Sequence, residues 1–493
     1  MDIILEIMAK AIRSCYGFVP EAYLIHMLLV CTFLVLVARE YMRNKIDDDI
    51  LHANTNRLGV WFGFLCIAGY FILLLISPVW FDTTYGLGSD SVIFTFRIFF
   101  TMLFFIYFVF LMIDGDSNQE FYTFEYYFIL LVAMMGLNAM PIATNFFNLL
   151  IFMELYAISM YYLINNKRWA VRTLEASFKY FIISSVSTAL FIMGILIIYL
   201  SKGSISFKVL EIVHADSYFC ALGYEFIIIS LCVKIGAGLF FFWLLDAYEG
   251  ANFSILMFLN IFVKPVFILV LFKIIIHSHF PLLFWSVKVF LFSSIIIGAC
   301  GAALNTQLKR FLIFTSIYNI GFFSCFFWDP FTKMLAGFLI FFLIYGLNTL
   351  AVFILLSRFR NRNGELMISD IKELSSVMPQ NPRMAVGLIF FLFIITGLPP
   401  FSFFFVKYLL FVKFTLHINW VYLFFLLLTA AISAFYYFRL IRILLVGTKY
   451  PTIFISFRNR GVAFFLALFT IFNVGFLFFS EAMIDSLTLI LSG

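Results

Sequence analysis

The sequence predicts an all-α protein that crosses a membrane many times. Three observations predict this class: 64% of the residues are hydrophobic, only 12% are charged, and long apolar runs recur along the chain. Soluble domains carry about a quarter charged residues, so a soluble chain of this composition could not bury its apolar surface. Lipid covers such surface, and it requires helices because each span must satisfy its own backbone hydrogen bonds.

Fourteen apolar stretches are long enough to span a bilayer. In chain order they are 22–38, 58–79, 91–113, 126–143, 145–164, 176–200, 219–245, 251–276, 282–301, 311–328, 332–357, 384–415, 418–447 and 461–480. The fourth and fifth are nearly fused, and the twelfth and thirteenth are long enough to be tilted or broken. Lys and Arg favour one set of loops, seventeen against five. By the positive-inside rule, both termini then face the intermembrane space or the periplasm.

Composition and motifs argue against several soluble functions. The net charge of +6 is spread over loops that flank the spans, so it does not indicate nucleic-acid binding. The seven cysteines form no C-x-x-C pair, and no dinucleotide-binding, P-loop or nucleophile-elbow motif is present. We therefore expect the chain to bind no metal or cofactor. The 72 phenylalanines indicate an AT-rich gene, which suggests synthesis inside an organelle.

Four ionisable residues lie inside the spans: Glu154 in the fifth, Lys234 in the seventh, Lys264 in the eighth and Lys407 in the twelfth. Charged side chains are costly in hydrocarbon and usually mark ion or proton pathways. The alternative, a side chain that reaches the interface, suits charges near span ends better. We predict that these four form a proton relay. Desolvation disfavours a charged lysine and a nearby carboxylate favours it, so movement of Glu154 relative to Lys234 would switch that lysine.

Helix-breaking residues accompany two of these lysines. They follow Lys234 and precede Lys407, and they are Gly236, Gly238, Gly397, Pro399 and Pro400. Discontinuous helices near the membrane midplane commonly form transport sites. Glycine and proline can also serve simple packing or kinks. We predict breaks in the seventh and twelfth spans as part of the site.

The five-span offset between the breaks indicates an internal repeat. Five is an odd number of spans, so the second unit would be inverted relative to the first. The predicted organisation is an N-terminal group of three spans at 1–120, a first repeat at 121–277, a second repeat at 278–447, and a C-terminal span and tail at 448–493.

A resemblance emerges around the seventh span. The segment from Lys234 to Trp243, with D-A-Y-E-G-A at 246–251, resembles the K-x-G-x-x-P-F-H-x-W-x-P-D-V-Y-E-G-A-P signature of subunit two of NADH:ubiquinone oxidoreductase, respiratory complex I. LEASFKYF (174–181), QLKRFLIFTSI (307–317) and GLPPF (397–401) with Lys407 resemble other segments of that subunit, in the same order. The Y-E-G-A stretch favours subunit two over its paralogues, subunits four and five.

The resemblance implies an antiporter-like fold, with two inverted five-helix units and broken helices seven and twelve. It implies a proton-pumping subunit coupled to NADH-to-ubiquinone electron transfer, with FMN, iron–sulfur clusters and ubiquinone bound by other subunits. Expected partners are the other membrane-arm subunits, including neighbouring antiporter-like subunits, and membrane lipids. The implied location is the mitochondrial inner membrane, as a divergent mitochondrial member with both termini on the intermembrane-space side. The family's functional glutamate and three lysines fall on Glu154, Lys234, Lys264 and Lys407.

The chain departs from the family pattern at the seventh span. Leu239 replaces the proline and Phe241 replaces the histidine, so the break must rest on glycines or be milder. Water or hydroxyl groups of the tenth span are candidates to replace the missing histidine: Thr315, Ser316 and Tyr318. Two other functions stay open, a cation/proton antiporter subunit and a scaffold that has lost pumping.

Overall fold

A computed structural model describes most of the chain after its first 47 residues. The described ranges are 48–76, 91–115, 124–165, 171–212, 218–278, 281–326, 332–360, 370–416, 420–446, 454–455 and 460–492. Within these ranges, nine helices are long and apolar enough to cross a membrane, or ten if the bent pair Ala463–Phe476 and Phe478–Leu489 counts as one span. The first predicted span, 22–38, lies outside the described residues, so the count of fourteen stays a prediction.

The described helices overlap the predicted spans, but the helix of the second span begins at Asp48 and that of the fourteenth ends at Ser492, well beyond the predicted bounds 58–79 and 461–480. They are α1 (Asp48–Ile76), α2 (Ser91–Gly115), α3 (Phe124–Ala139), α4 (Phe146–Ile164), α5 (Val171–Lys202), α6 (Phe207–Ile212), α7 (Tyr218–Ile235), α8 (Phe242–Gly250), α9 (Phe253–Phe258), α10 (Lys264–Ser278), α11 (Pro281–Leu304), α12 (Leu308–Cys325), α13 (Thr332–Leu356), α14 (Val377–Gln380), α15 (Pro382–Thr396), α16 (Ser402–Leu416), α17 (Trp420–Val446) and α18 (Arg460–Ser492). A π-helical segment, Leu259–Val263, joins α9 to α10. Three 3₁₀ segments complete the helical elements: Met140–Ile142, Gly238–Phe241 and Ile371–Ser376.

Prolines and glycines explain the helix ends that the lengths of the apolar stretches did not determine. Pro141 lies in the 3₁₀ turn that ends α3, and an extended Asn145 precedes α4, so the nearly fused fourth and fifth spans are separate helices. The seventh and twelfth spans are broken, as predicted. The thirteenth is the continuous helix α17. Pro265 explains the π segment, because its ring lacks an N–H and crowds the carbonyl four residues earlier.

Chain contacts divide the molecule into two compact units. Unit 1 contains residues 1–167 and 206–208, and unit 2 contains 168–205 and 209–493. In unit 1 a buried arginine ties α1, α2 and α3 together. Arg97 Nη2 donates to the Tyr70 hydroxyl at 2.6 Å, and its Nε donates to Asn138 Oδ1 at 3.4 Å. The four-part domain division predicted above stays a prediction.

Contacts between loops of unit 2 agree with the predicted alternation of the spans. The Lys309 ammonium before the tenth span donates to the Ala251 carbonyl between the seventh and eighth. Gln307 forms a β-bridge with Asp370, which precedes the twelfth span. Two short strands, β1 (Phe359–Arg360) and β2 (Phe454–Ile455), pair antiparallel and join the loop that contains Asp370 to the loop before the fourteenth span. All of these loops were predicted to share one side of the membrane.

Candidate functional site: buried lysines beside two broken helices

The first half of the first broken helix ends next to Lys234. Gly236, two residues on, has a φ of 68° in the left-handed region. The Gly236 N–H donates to the Val233 carbonyl at 3.1 Å, and the Ala237 N–H donates to the Cys232 carbonyl at 2.9 Å. This pair of bonds is a Schellman motif, which satisfies carbonyl groups at the end of a helix. The break therefore forms without the proline typical of the family.

Glycine is required at this break for space as well as for conformation. Gly238 also has a positive φ, 57°. A Cβ on Gly238 would lie 2.3 Å from Ser293 Oγ and 2.6 Å from the Phe290 carbonyl oxygen on α11. A Cβ on Gly236 would lie 2.0 Å from Leu244 Cδ1 on α8. Larger residues would thus strain the backbone and collide with neighbouring helices.

Lys234 is buried at the C-terminal end of α7. Its exposed fraction is 8%, and it lies in the last turn, where a cation is favoured by the negative end of the helix dipole. The indole Nε1 of Trp243 on α8 donates to the Val233 carbonyl at 3.0 Å. This bond joins the two half-helices one residue away from Lys234.

Lys264 lies in the interior of unit 2 and has a side-chain partner. Its exposed fraction is 1%, and its Nζ donates a hydrogen bond to Ser316 Oγ on α12. The Ser316 hydroxyl in turn donates to the Ile313 carbonyl at 2.5 Å. The Tyr248 ring centroid is 5.8 Å from the Lys264 Nζ, within cation–π range. The ammonium is therefore held by the Ser316 hydroxyl of α12 and by the aromatic ring of Tyr248 on α8.

A small cavity with a mainly apolar lining adjoins the Lys264–Ser316 pair. Its volume is about 30 Å³, enough for about two water molecules. Its lining includes hydroxyl and amide side chains from four segments: Asn260, Thr315, Ser316, Asn319, Tyr345, Thr349 and Tyr437. The Asn260 side chain is buried, and neither its oxygen nor its nitrogen has a hydrogen-bond partner among the described residues. The cavity thus has room for water, and the Asn260 amide in its lining is a polar group that could bind it.

Lys407 lies on the second half of the second broken helix. Its Nζ reaches back across the break and donates to the carbonyl of Thr396, the last residue of α15, at 2.9 Å. The ring centroids of Phe403 and Phe322 are 5.5 Å and 5.7 Å from the Nζ. Gly397, with a φ of 77°, gives the lysine room, because a Cβ there would lie 2.8 Å from the Lys407 Cδ. The cavity lining also includes Ile395, next to Thr396, so the cavity extends toward this second lysine.

The remaining predicted residues are placed as follows. Thr315 and Ser316 line the cavity. The buried Tyr318 does not line it, and the Tyr318 hydroxyl lies next to Thr429 and Ser433 on α17. Glu154 lies half-buried near the middle of α4. It belongs to unit 1, so its pairing with Lys234 stays a prediction.

Sequence reasoning missed several buried amides. Asn260, Asn348 and Asn473 have exposed fractions of 1% or less, and each stands alone in an apolar run: MFLNIFV, IYGLNTL and TIFNVGF. An amide in hydrocarbon needs hydrogen-bond partners, so each of these asparagines was a detectable signal. The search for charged residues passed over them because they are neutral.

Comparisons with known proteins agree on a family. The family model described as NADH:quinone oxidoreductase/Mrp antiporter, TM, matches residues 143–433. The chain is 28% identical over 349 residues to NADH-quinone oxidoreductase subunit N 2 of Thermodesulfovibrio yellowstonii, covering 71% of this chain and 76% of that protein. It is similar to a chain in the structure of respiratory complex I from Thermus thermophilus with bound Aureothin, with a TM-score of 0.77, 19% identity and coverage of 95% and 99%. It is also similar to a chain of the Mrp complex from Dietzia sp. DQ12-45-1b, with a TM-score of 0.78, 14% identity and coverage of 97% of both chains.

Proposed function

Because the chain belongs to the NADH:quinone oxidoreductase/Mrp antiporter transmembrane family, we propose that it is a proton-translocating membrane subunit of NADH:quinone oxidoreductase. The observation that carries the proposal is the fully buried Lys264, hydrogen-bonded to Ser316 beside a cavity with room for water. A buried lysine surrounded by hydroxyl and amide groups can exchange a proton without exposing its charge to lipid. The relative named as subunit N supports this assignment over others in the family.

Protons would pass between lysines through short hydrogen-bonded steps. The Lys264 ammonium donates to Ser316, which lines the cavity, and the Ser316 hydroxyl could accept that proton and release its own to water there, leaving a neutral amine. Water there would be oriented by the Asn260 amide, which no described residue satisfies. The Lys407 ammonium is held on the carbonyl of Thr396, the residue that follows Ile395 of the cavity lining. Glu154 would bias Lys234 at the other end of the relay.

The chain would act as part of an enzyme without a redox centre of its own. FMN, iron–sulfur clusters and ubiquinone would be bound by other subunits, and neighbouring antiporter-like subunits and lipids would surround this one. We propose the mitochondrial inner membrane, with both termini in the intermembrane space, on the phenylalanine-rich composition and the loop charges. The Thermodesulfovibrio yellowstonii relative makes a bacterial plasma membrane the alternative location.

A cation/proton antiporter subunit is the second candidate. The observation that favours it is the likeness to the Mrp chain, which covers nearly the whole length of both proteins. That likeness concerns the fold alone, and both functions would use buried lysines. The two candidates differ in what the chain is assembled with and in what drives the protons.

Purification of the subunit from its native membrane, followed by assay in vesicles, tests the proposal. We expect co-purification with flavin and iron–sulfur subunits, and NADH-driven proton translocation that Lys264→Met lowers by about 100-fold. Lys273→Met on the same helix is the matched control, because Lys273 is only half-buried and lies near the end of the apolar span Phe253–Ile276, whereas Lys264 lies near its middle. Assembly without redox subunits, with cation-driven proton exchange, would instead establish the antiporter.

A further inference from the structure

Three buried polar side chains outside the relay meet at the start of α16. They are Asn348 on α13, Ser402 on α16 and Asn473 on α18, and each has an exposed fraction of 0%. The Ser402 hydroxyl donates to Asn473 Oδ1. Asn348 Nδ2 donates to the same oxygen at 3.1 Å, and Asn473 Nδ2 donates to Asn348 Oδ1 at 2.9 Å. The two amides thus form a reciprocal pair that also accepts the serine hydroxyl.

The remaining amide hydrogens are used within each helix. Asn348 Nδ2 donates to the Ile344 carbonyl at 2.9 Å, and Asn473 Nδ2 donates to the Phe469 carbonyl at 2.8 Å. Both hydrogens of each amide therefore have acceptors, and Asn473 Oδ1 accepts two bonds. A network satisfied in this way is rigid and fixes one arrangement of its helices. Such a network holds its three helices in position and does not resemble a proton-carrying site.

Ser402 is the residue through which this network reaches the relay. It is the first residue of α16, and Lys407 follows five residues later, about 7.5 Å along the helix. The helix is interrupted between Thr396 and Ser402, so α15 does not fix the position of α16 through continuous helical hydrogen bonds. The start of α16 is instead anchored from α18, through Asn473.

We propose that Asn473, paired with Asn348, is a positioning residue that fixes the start of α16 and keeps Lys407 on the Thr396 carbonyl. The inference rests on the proposed function, because it assigns the residue a role in placing a relay lysine. It gives α18, which lies outside both predicted repeats, control over the second broken helix. Misplacement of a reacting group by about 1 Å can lower a rate by about 100-fold, so a modest shift of α16 would suffice.

Variants of Ser402 and Asn473 in the assembled enzyme test the proposal. We expect Ser402→Ala and Asn473→Leu to lower NADH-driven proton translocation about tenfold and to change its pH profile. Ser402→Thr keeps the hydroxyl and should stay within about twofold of the parent rate. Thr470→Val, on α18 less than one turn from Asn473, is the matched control because its side chain is only half-buried and its hydroxyl donates to the Ala467 carbonyl of its own helix.

Two double variants separate positioning from simple packing. Asn348→Leu with Asn473→Leu leaves no unpaired amide, so it should restore assembly to the parent level while translocation stays about tenfold low. In a Lys407→Met background, Asn473→Leu should cause no further loss, since it acts through that lysine. An equal loss in both backgrounds, or a parent pH profile in Ser402→Ala, would overturn the positioning role. Full translocation by Lys407→Met would overturn the proposed function itself.

Discussion

The two broken helices place their lysines by opposite routes. Lys234 precedes its break and lies in the last turn of α7. Lys407 follows its break and reaches back to the carbonyl of Thr396, the last residue of α15. Lys234 and the Lys407 ammonium thus both lie at the C-terminal end of a first half-helix, where the helix dipole stabilises a cation. The comparison teaches that the chain preserves this electrostatic position although the order of lysine and break is reversed.

The breaks also differ in how they are held. At the first, Trp243 bonds to the end of α7, and the far end of α8 is tied by Lys309 to the carbonyls of Glu249 and Ala251 at 2.7 and 2.9 Å. At the second, the start of α16 is held by Ser402 through the buried amide pair. The first break relies on bonds to backbone carbonyls, and the second relies on a side-chain network.

The largest effect is expected from the removal of either lysine beside a break, Lys234 or Lys407. If both breaks place a proton-carrying group, Lys234→Met and Lys407→Met should each lower NADH-driven proton translocation by about 100-fold. The measurement is the initial rate of proton uptake by membrane vesicles, with subunit assembly checked in parallel. A large effect at one break and none at the other would show that the reversed geometry is not functionally equivalent.

Alanine substitution of the break glycines should separate the two regions. Gly238→Ala adds a Cβ against the backbone of α11 and a positive-φ cost of about 1–2 kcal/mol, so we expect impaired assembly. Gly397→Ala has a similar φ cost, but its Cβ meets the flexible stem of Lys407, so assembly should survive while translocation falls. Gly387→Ala on α15 is the control, because its Cβ would approach no atom closer than 3.9 Å. Equal assembly defects at both breaks would contradict this difference.

The cavity gives a prediction in which stability and activity change in opposite directions. Asn260→Leu replaces an amide without a partner among the described residues by an apolar group of similar size. Thermal stability should hold or rise, because a buried unsatisfied amide is costly. Translocation should fall about tenfold, because water would lose its polar contacts between Lys264 and Lys407. Leu259→Met is the control at the neighbouring residue. A translocation rate in Asn260→Leu equal to that of the parent would show that the cavity is not part of the relay.

Much of this architecture is readable in the sequence, and the reason is local. Span positions follow from apolar length, and both breaks follow from Gly236, Gly238, Gly397 and the adjacent prolines. The amide network is not local, because Asn348 and Asn473 are 125 residues apart in sequence. Single-sequence periodicity carries no information on such pairing. For the same reason, the sequence identified Ser316 only as one of three hydroxyl candidates, and the fold of α12 against α10 selects it as the partner of Lys264.

The smallest effect is expected at the end of α8 that lies away from the first break. Arg310 Nε and Glu249 Oε2 are 2.8 Å apart, and both side chains are 39% exposed. A solvated pair of this kind contributes about 0–1 kcal/mol, so Arg310→Gln should shift thermal stability little and the shift should shrink further in high salt. Lys309→Met should cost more, because it leaves two carbonyls at the end of α8 without their donor. Thermal unfolding of the purified complex at low and high salt checks this order. Should Arg310→Gln prove the more damaging, the outer end of α8 would be fixed by its surface charges and not by the capped carbonyls.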